Sequence, residues 1–216
     1  MLFDRVRLRR AALRYAAHGW AVTPGACLHG HRFDCGRPGC PIMACHPAIE
    51  SWEDDATADT TRVTAWWRRR PHAVLLATGS AFDVLEVPAS LGVRVLGAIR
   101  LHADIHGNLR GNARGPVAVT PSDRWMFLVS PGAPLRPELH DRVDVIRHGR
   151  GSWIPVAPSR MPDGPIRWAV SPDQAGWRLP PSDAVQDMLV DALRSVPRRP
   201  TLVAVPRQTS TLRRAA

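Results

Sequence analysis

The chain has 216 residues, 44% of them hydrophobic, and a net charge of +10, which suits one domain with a real core. All 29 basic residues are arginine, so a phosphate-loop lysine, a Schiff-base lysine and an adenylated lysine are excluded. No apolar run is long enough to span a membrane, and no apolar stretch follows the arginines of residues 1–10, so the expectation is a cytoplasmic protein without span or signal.

Residues 4–18 predict an amphipathic helix. Val6, Leu8, Ala12, Leu13, Ala16 and Ala17 approximate one face, arginines the other, and Gly19 follows as a C-cap. Residues 20–24 read as a short strand stopped by Pro24. A loop to Pro47 then holds all four cysteines, Cys27, Cys35, Cys40 and Cys45, with His29, His31 and His46 among them. Gly and Pro in Cys35-Gly36-Arg37-Pro38-Gly39-Cys40-Pro41 exclude a regular helix or strand, so something else must order it. Thiolate and imidazole are the ligands that zinc prefers. Cys27, Cys35, Cys40 and His46 are the favoured set, with Cys45 as the alternative, and such a sulfur-rich set predicts a structural zinc over 25–47. Free thiols and a disulfide pair are the competing readings, and a reducing compartment disfavours the second.

A second helix is expected over 57–70, capped by Asp59 or Thr60, with Val63, Trp66 and Trp67 on its inner face. Two apolar strands, 73–78 and 83–87, joined by Gly79-Ser80, suggest a central sheet. A helix over 91–101 leads into a Gly- and Asn-rich loop, 102–115, in which His102, Asp104 and His106 alternate. Antiparallel pairs are expected for 117–120 with 125–129 and for 143–147 with 152–156, and 166–169 reads as a last strand. Ser182 or Asp183 caps a final helix over 183–195. The domain is expected over 4–196, and 197–216, rich in Pro, Arg and Thr, as a disordered basic tail.

The order of several short motifs resembles a known family. They are Ala11-Ala12-Leu13-Arg14-Tyr15-Ala16-Ala17-His18-Gly19-Trp20-Ala21-Val22, the cysteine loop ending in Cys45-His46-Pro47, Ser51-Trp52-Glu53-Asp54-Asp55-Ala56-Thr57, Val63-Thr64-Ala65-Trp66-Trp67, Ala77-Thr78-Gly79-Ser80, and Gly151-Ser152-Trp153 before Val156-Ala157-Pro158-Ser159. Together they resemble the bifunctional DNA primase/polymerase (prim-pol) domains of the archaeo-eukaryotic primase superfamily, in a short actinobacterial-type version. The resemblance implies an α/β (α+β) domain, a mostly antiparallel sheet flanked by helices, here with a zinc-stapled loop.

It also implies carboxylates that hold two Mg²⁺ or Mn²⁺ ions beside a triphosphate. The family's Asp-x-Asp or Asp-x-Glu falls on Leu85-Glu86-Val87-Pro88, where Glu86 stands for the first acid and Pro88 offers no ligand atom. Asp83, three residues earlier on a strand, belongs to the opposite face. The family's Gly-Gly-Arg-His-type turn falls on Ser122-Asp123-Arg124-Trp125, with Trp125 in the histidine's place and Arg124 retained, and His148 occupies the place of the third acid. Arg124, Arg147 and Arg150 are expected at the nucleotide cleft in contact with phosphate, while Trp125 and Trp153 either stack on a base or pack in the core. A Ser159–His148–Asp144 triad can be drawn, but no Gly-x-Ser-x-Gly elbow accompanies it.

The favoured expectation is a catalytically degenerate relative that binds DNA or nucleotides in a replication-related or regulatory role, with a replication protein as a further partner. The alternatives are an active primase/polymerase using Glu86 and displaced metal ligands, and a protein-interaction module that reuses the scaffold.

Overall fold

The computed structural model describes residues 2–106 and 113–195. Helix α1 (Leu2–Ala17) carries Asp4 in its first turn, favourably placed for the helix dipole, and Gly19 beyond its end adopts φ +79°. Leu8, Ala12, Tyr15 and Ala16 form its buried stripe. Strand β1 (Val22–Gly25) follows. The next residues, expected as a loop throughout, fold first into a hairpin of β2 (Cys27–His29) and β3 (Arg32–Asp34). Its two-residue turn uses Gly30 at φ +61°, and Leu28 stands opposite Phe33.

Helices α2 (Trp52–Asp55) and α3 (Thr60–Trp66) come next. Asp59 caps α3 as expected, accepting from the Thr61 N–H at 2.8 Å. The helix is shorter than 57–70 because Thr57 pairs with Val22 in an isolated bridge. Trp67 is fully buried and donates its indole N–H to the His72 carbonyl, while Trp66 is half-buried under Arg62.

The remaining elements are β4 (Ala73–Ala77), β5 (Asp83–Pro88), α4 (Ala89–His106), β6 (Val117–Val119), β7 (Arg124–Val129), α5 (Pro137–His140), β8 (Ile146–His148), β9 (Trp153–Pro155), β10 (Arg160–Met161), β11 (Gly164–Pro165), β12 (Arg167–Val170) and α6 (Ser182–Arg194). Helix α4 runs on through 102–106, which the Gly-rich composition assigned to a loop. The rest of that Gly- and Asn-rich stretch, 107–112, and the expected basic tail, 197–216, lie outside the described residues. The cap of α6 also differs from expectation. Pro181 takes the N-cap position without a side-chain bond, and the Ser182 hydroxyl instead accepts from Gln186.

Two sheets organise the molecule, and every pairing in them is antiparallel. The smaller has the order β1-β4-β9 and the larger the order β12-β6-β7-β5-β8. Two expectations are corrected here. Strands β4 and β5, read as neighbours, belong to different sheets, and so do β8 and β9, read as a hairpin. The chain therefore crosses between the sheets three times, at 78–82, at 149–152 and at 156–166, and the first two crossings are bonded to each other. Thr78 N–H donates to the Ser152 carbonyl at 2.9 Å, and its hydroxyl donates to the Gly149 carbonyl at 2.6 Å.

One core joins α1, α3 and the smaller sheet to the inner face of the larger sheet through Val22, Val74, Leu76, Ile154, Val84, Met126 and Leu128. A second core packs the outer face, Leu85, Val87, Phe127 and Val129, against α4 and α6. No helix among the described residues is long and apolar enough to cross a membrane.

Candidate functional site

Alternation along β5 puts Val84, Glu86 and Pro88 on the inner face of the larger sheet and Asp83, Leu85 and Val87 on the outer face. Antiparallel register then decides what Glu86 meets. Pro88 stands opposite Arg124 on β7, and Val84 stands opposite His148 on β8. Both partners share the inner face, and both reach Glu86. Arg124 Nε donates to Glu86 Oε1 at 2.6 Å, and His148 Nε2 donates to Oε2 at 2.8 Å. The cluster is held from behind. The second guanidinium arm of Arg124 donates to the Asp144 carbonyl at 3.0 Å, and His148 Nδ1 lies 3.0 Å from the Ser152 hydroxyl. Burial works to raise the Glu86 carboxyl, but the bonds from His148 and Arg124 outweigh it and hold it below its ordinary value.

Among the residues expected at the cleft, Glu86, Arg124 and His148 thus come together. Trp125 does not join them. It lies on the outer face, packed so closely on α4 that a Cβ at Gly92 would stand 2.4 Å from its ring. Arg147 is also on the outer face, where it clamps Asp83 through two bonds of 2.7 and 3.1 Å. Arg150 sits in the second crossing with its backbone against Gly79, and Trp153 is half-buried at the start of β9. The carboxylate of Asp144 is taken by Arg142 at 2.8 and 2.9 Å. Ser159 is buried and accepts from the Val74 N–H, so no triad forms with His148.

A pair of divalent cations does not fit this inner-face cluster. Two-metal chemistry needs several carboxylate oxygens free to coordinate. Here both Glu86 oxygens are engaged, one by a permanent cation, and the next inner-face position is a proline. Arg124 is expected from the sequence at this cleft but in contact with phosphate; the register instead sets it beside Glu86, where it closes the carboxylate.

Among the described residues, the group of His, Cys, Asp or Glu ligand atoms that could share an ion is Cys35, Cys40 and His46, all within 4.8 Å of one another. His46 Nδ1 donates to the Ala44 carbonyl at 2.7 Å, which leaves Nε2, 3.5 Å from Cys40 Sγ, with its lone pair toward the cluster. Burial works to raise the Cys35 thiol, but hydrogen bonds, chiefly from Arg37, bring it down to about 6. These residues fit a thiophilic cation. Cys27, expected as a ligand, is not among them. Its strand buries it beside His72, with Sγ 3.8 Å from Nδ1, and that Nδ1 donates to the Gly25 carbonyl at 2.9 Å. Cys45 packs on the same small core as Cys35, and burial pushes its thiol up to about 12. All four cysteines are free.

No curated protein and no solved structure matches the chain. The family described as "Bifunctional DNA primase/polymerase, N-terminal" matches residues 12–186, which takes in both sheets, the Cys/His cluster and the Glu86 cluster. The chain is a member of this prim-pol family.

Proposed function

We propose that this domain keeps the prim-pol scaffold as a nucleic-acid- or nucleotide-binding module and has lost templated synthesis, acting in a replication-related or regulatory role. The observation that supports the reading is the closed Glu86–Arg124–His148 cluster beside Pro88. Charge decides the chemistry. One carboxylate facing an arginine and a histidine offers no net negative charge to gather two dications beside a triphosphate. Primer extension with labelled dNTPs and Mn²⁺ or Mg²⁺ is the test. No extension is expected. Incorporation that disappears in Glu86→Gln would restore the active-enzyme reading. Appearance of synthesis in a Pro88→Asp, Arg124→His, His148→Asp variant would support the proposal most directly.

We also propose that the Cys/His cluster holds a structural zinc through Cys35, Cys40 and His46. The ion would tie the segment after β3 back onto the small core of Ala26, Phe33, Cys35 and Ala48. Elemental analysis should return one zinc per chain.

A further inference from the structure

Arginines expected to meet phosphate at the inner face are engaged within the protein, Arg124 by Glu86 and Arg147 by Asp83. Unneutralised basic charge gathers elsewhere. A cavity of about 840 Å³ opens between the first turns of α1, the tip of the β2–β3 hairpin, the chain after α3 and the segment joining β9 to β10. Its basic lining is Arg5, Arg7, Arg69, Arg160 and His29, against one carboxylate, Asp4. Among the described residues, Arg5, Arg69 and Arg160 have no ion-pair partner, and Arg7 makes only a 3.5 Å bond to the Pro158 carbonyl and a 3.9 Å contact with Asp4. Like charges lining one cavity repel, and an anion placed among them relieves the repulsion.

A second cavity of about 320 Å³ adjoins the first and shares Arg7 and Pro158 with it. Arg7, Arg10 and Arg14 stand at helical spacing along this side of α1, opposite the half-buried Trp168, and of these Arg14 is already paired with Asp173, the carboxylate of this cavity. The two cavities form one track, arginine-lined at one end and partly aromatic at the other. The track shares no lining residue with the Glu86 cluster. It meets β4 at Ala73, whereas the crossings that support His148 are bonded to Thr78 at the other end of that strand, about 13 Å or more away at the usual rise per residue.

We propose that this track is a second phosphate site, separate from the Glu86 cluster, that takes the phosphodiester backbone of a single nucleic acid strand. The inference rests on the reading of the domain as a nucleic-acid binder. A single nucleotide would leave most of the guanidinium groups unpaired, so a chain of phosphates is the better match. A tryptophan wall can meet a base face only when the base is unpaired, which favours a single strand over a duplex. DNA and RNA offer the same phosphodiester chemistry, and the test separates them.

The test uses the full chain and fluorescence anisotropy with labelled oligo(dT), oligo(rU) and a duplex of equal length. The Arg198, Arg199, Arg207, Arg213 and Arg214 side chains are changed to Gln in every variant so that they do not mask the groove. In that background, Arg69→Gln with Arg160→Gln should weaken single-strand binding about tenfold or more and reduce the slope of log K against log salt by about 1.4, two phosphate contacts' worth. Both side chains are exposed, so the melting temperature should hold. Arg194→Gln, an exposed arginine on α6 that lines neither cavity, should leave strand affinity unchanged. The oligomer bound more tightly names DNA or RNA as the ligand. Unchanged affinity and slope in the Arg69/Arg160 variant, with binding otherwise intact, would overturn the groove while leaving the wider reading standing. Absence of strand binding by the parent at low salt would overturn both. Duplex bound as tightly as single strand would overturn the single-strand assignment.

Discussion

Asp83 shows how a carboxylate can sit on the right strand and still serve structure. It is 1% exposed, and its Oδ2 accepts from Arg147 and from the Gly132 N–H at 3.0 Å. Asp83→Ala removes the counter-charge of a mostly covered guanidinium and the acceptor of that backbone donor. The expected loss is about 3 kcal/mol in urea unfolding, with primer-extension behaviour unchanged. Glu86 carries the opposite kind of prediction, one of pH. Its carboxyl is held below the ordinary 4.5, so it contributes stability above that value and loses it as pH falls through the lower, folded-state value. Unfolding free energy measured across that acid range should fall with pH in the parent, and Glu86→Gln should flatten this part of the profile. The strand, its alternation and the opposition of Asp83 to Glu86 were legible in the sequence. The partners were not, because Arg124 and His148 lie 38 and 62 residues away and meet Glu86 only through register. Arg124 and Trp125 are both expected beside the cleft, but neighbours on a strand face opposite ways, so only Arg124 shares the inner face with Glu86 while Trp125 packs in the outer core.

Among the elements, the first two crossings, at 78–82 and 149–152, are where sequence reading failed for a physical reason. Adjacent strands separated by a Gly-rich turn ordinarily form a hairpin. Nothing local distinguishes a turn that folds back into one sheet from one that hands the chain to another. The decision is made by the crossings' bonds to each other. Gly79 is where they touch. It has φ +89°, and a Cβ there would stand 2.2 Å from the backbone nitrogen of Arg150. Neither the left-handed conformation nor that approach suits any other residue. Gly79→Ala is therefore expected to cost at least about 2 kcal/mol, seen as a lower melting temperature. Gly132→Ala offers the contrast, since φ is also positive there but no atom lies within 4 Å of the added Cβ. It should cost only the conformational strain, about 1 kcal/mol. The β2–β3 hairpin was missed differently. Its signal, Gly30 between Leu28 and Phe33, was present but lay inside a cluster of cysteines that drew a metal-loop reading for the whole segment.

Across the whole molecule, the Cys/His cluster and the basic track are joined through one hairpin. Leu28, His29 and Gly30 wall the larger cavity, and β3 of the same hairpin leads directly into Cys35. Phe33 N–H donates to the Met43 carbonyl and Ala26 N–H to the His46 carbonyl, so the segment that returns from the cluster is bonded back onto the hairpin's base. An ion at Cys35, Cys40 and His46 would fix that returning segment, and with it the hairpin's position over the track. Chelation should then do two things together: lower the melting temperature and weaken single-strand binding, with neither effect reversed by Mg²⁺ and both reversed by added zinc. The cysteines sort the mechanism. Cys35→Ser should reproduce chelation in both readouts. Cys27→Ser, in a residue paired with His72 and outside the ligand group, should keep one zinc per chain and the parent's strand affinity. Strand binding that survives complete zinc removal would place the track's order in α1 and α3 alone, and would separate the two sites that the hairpin connects.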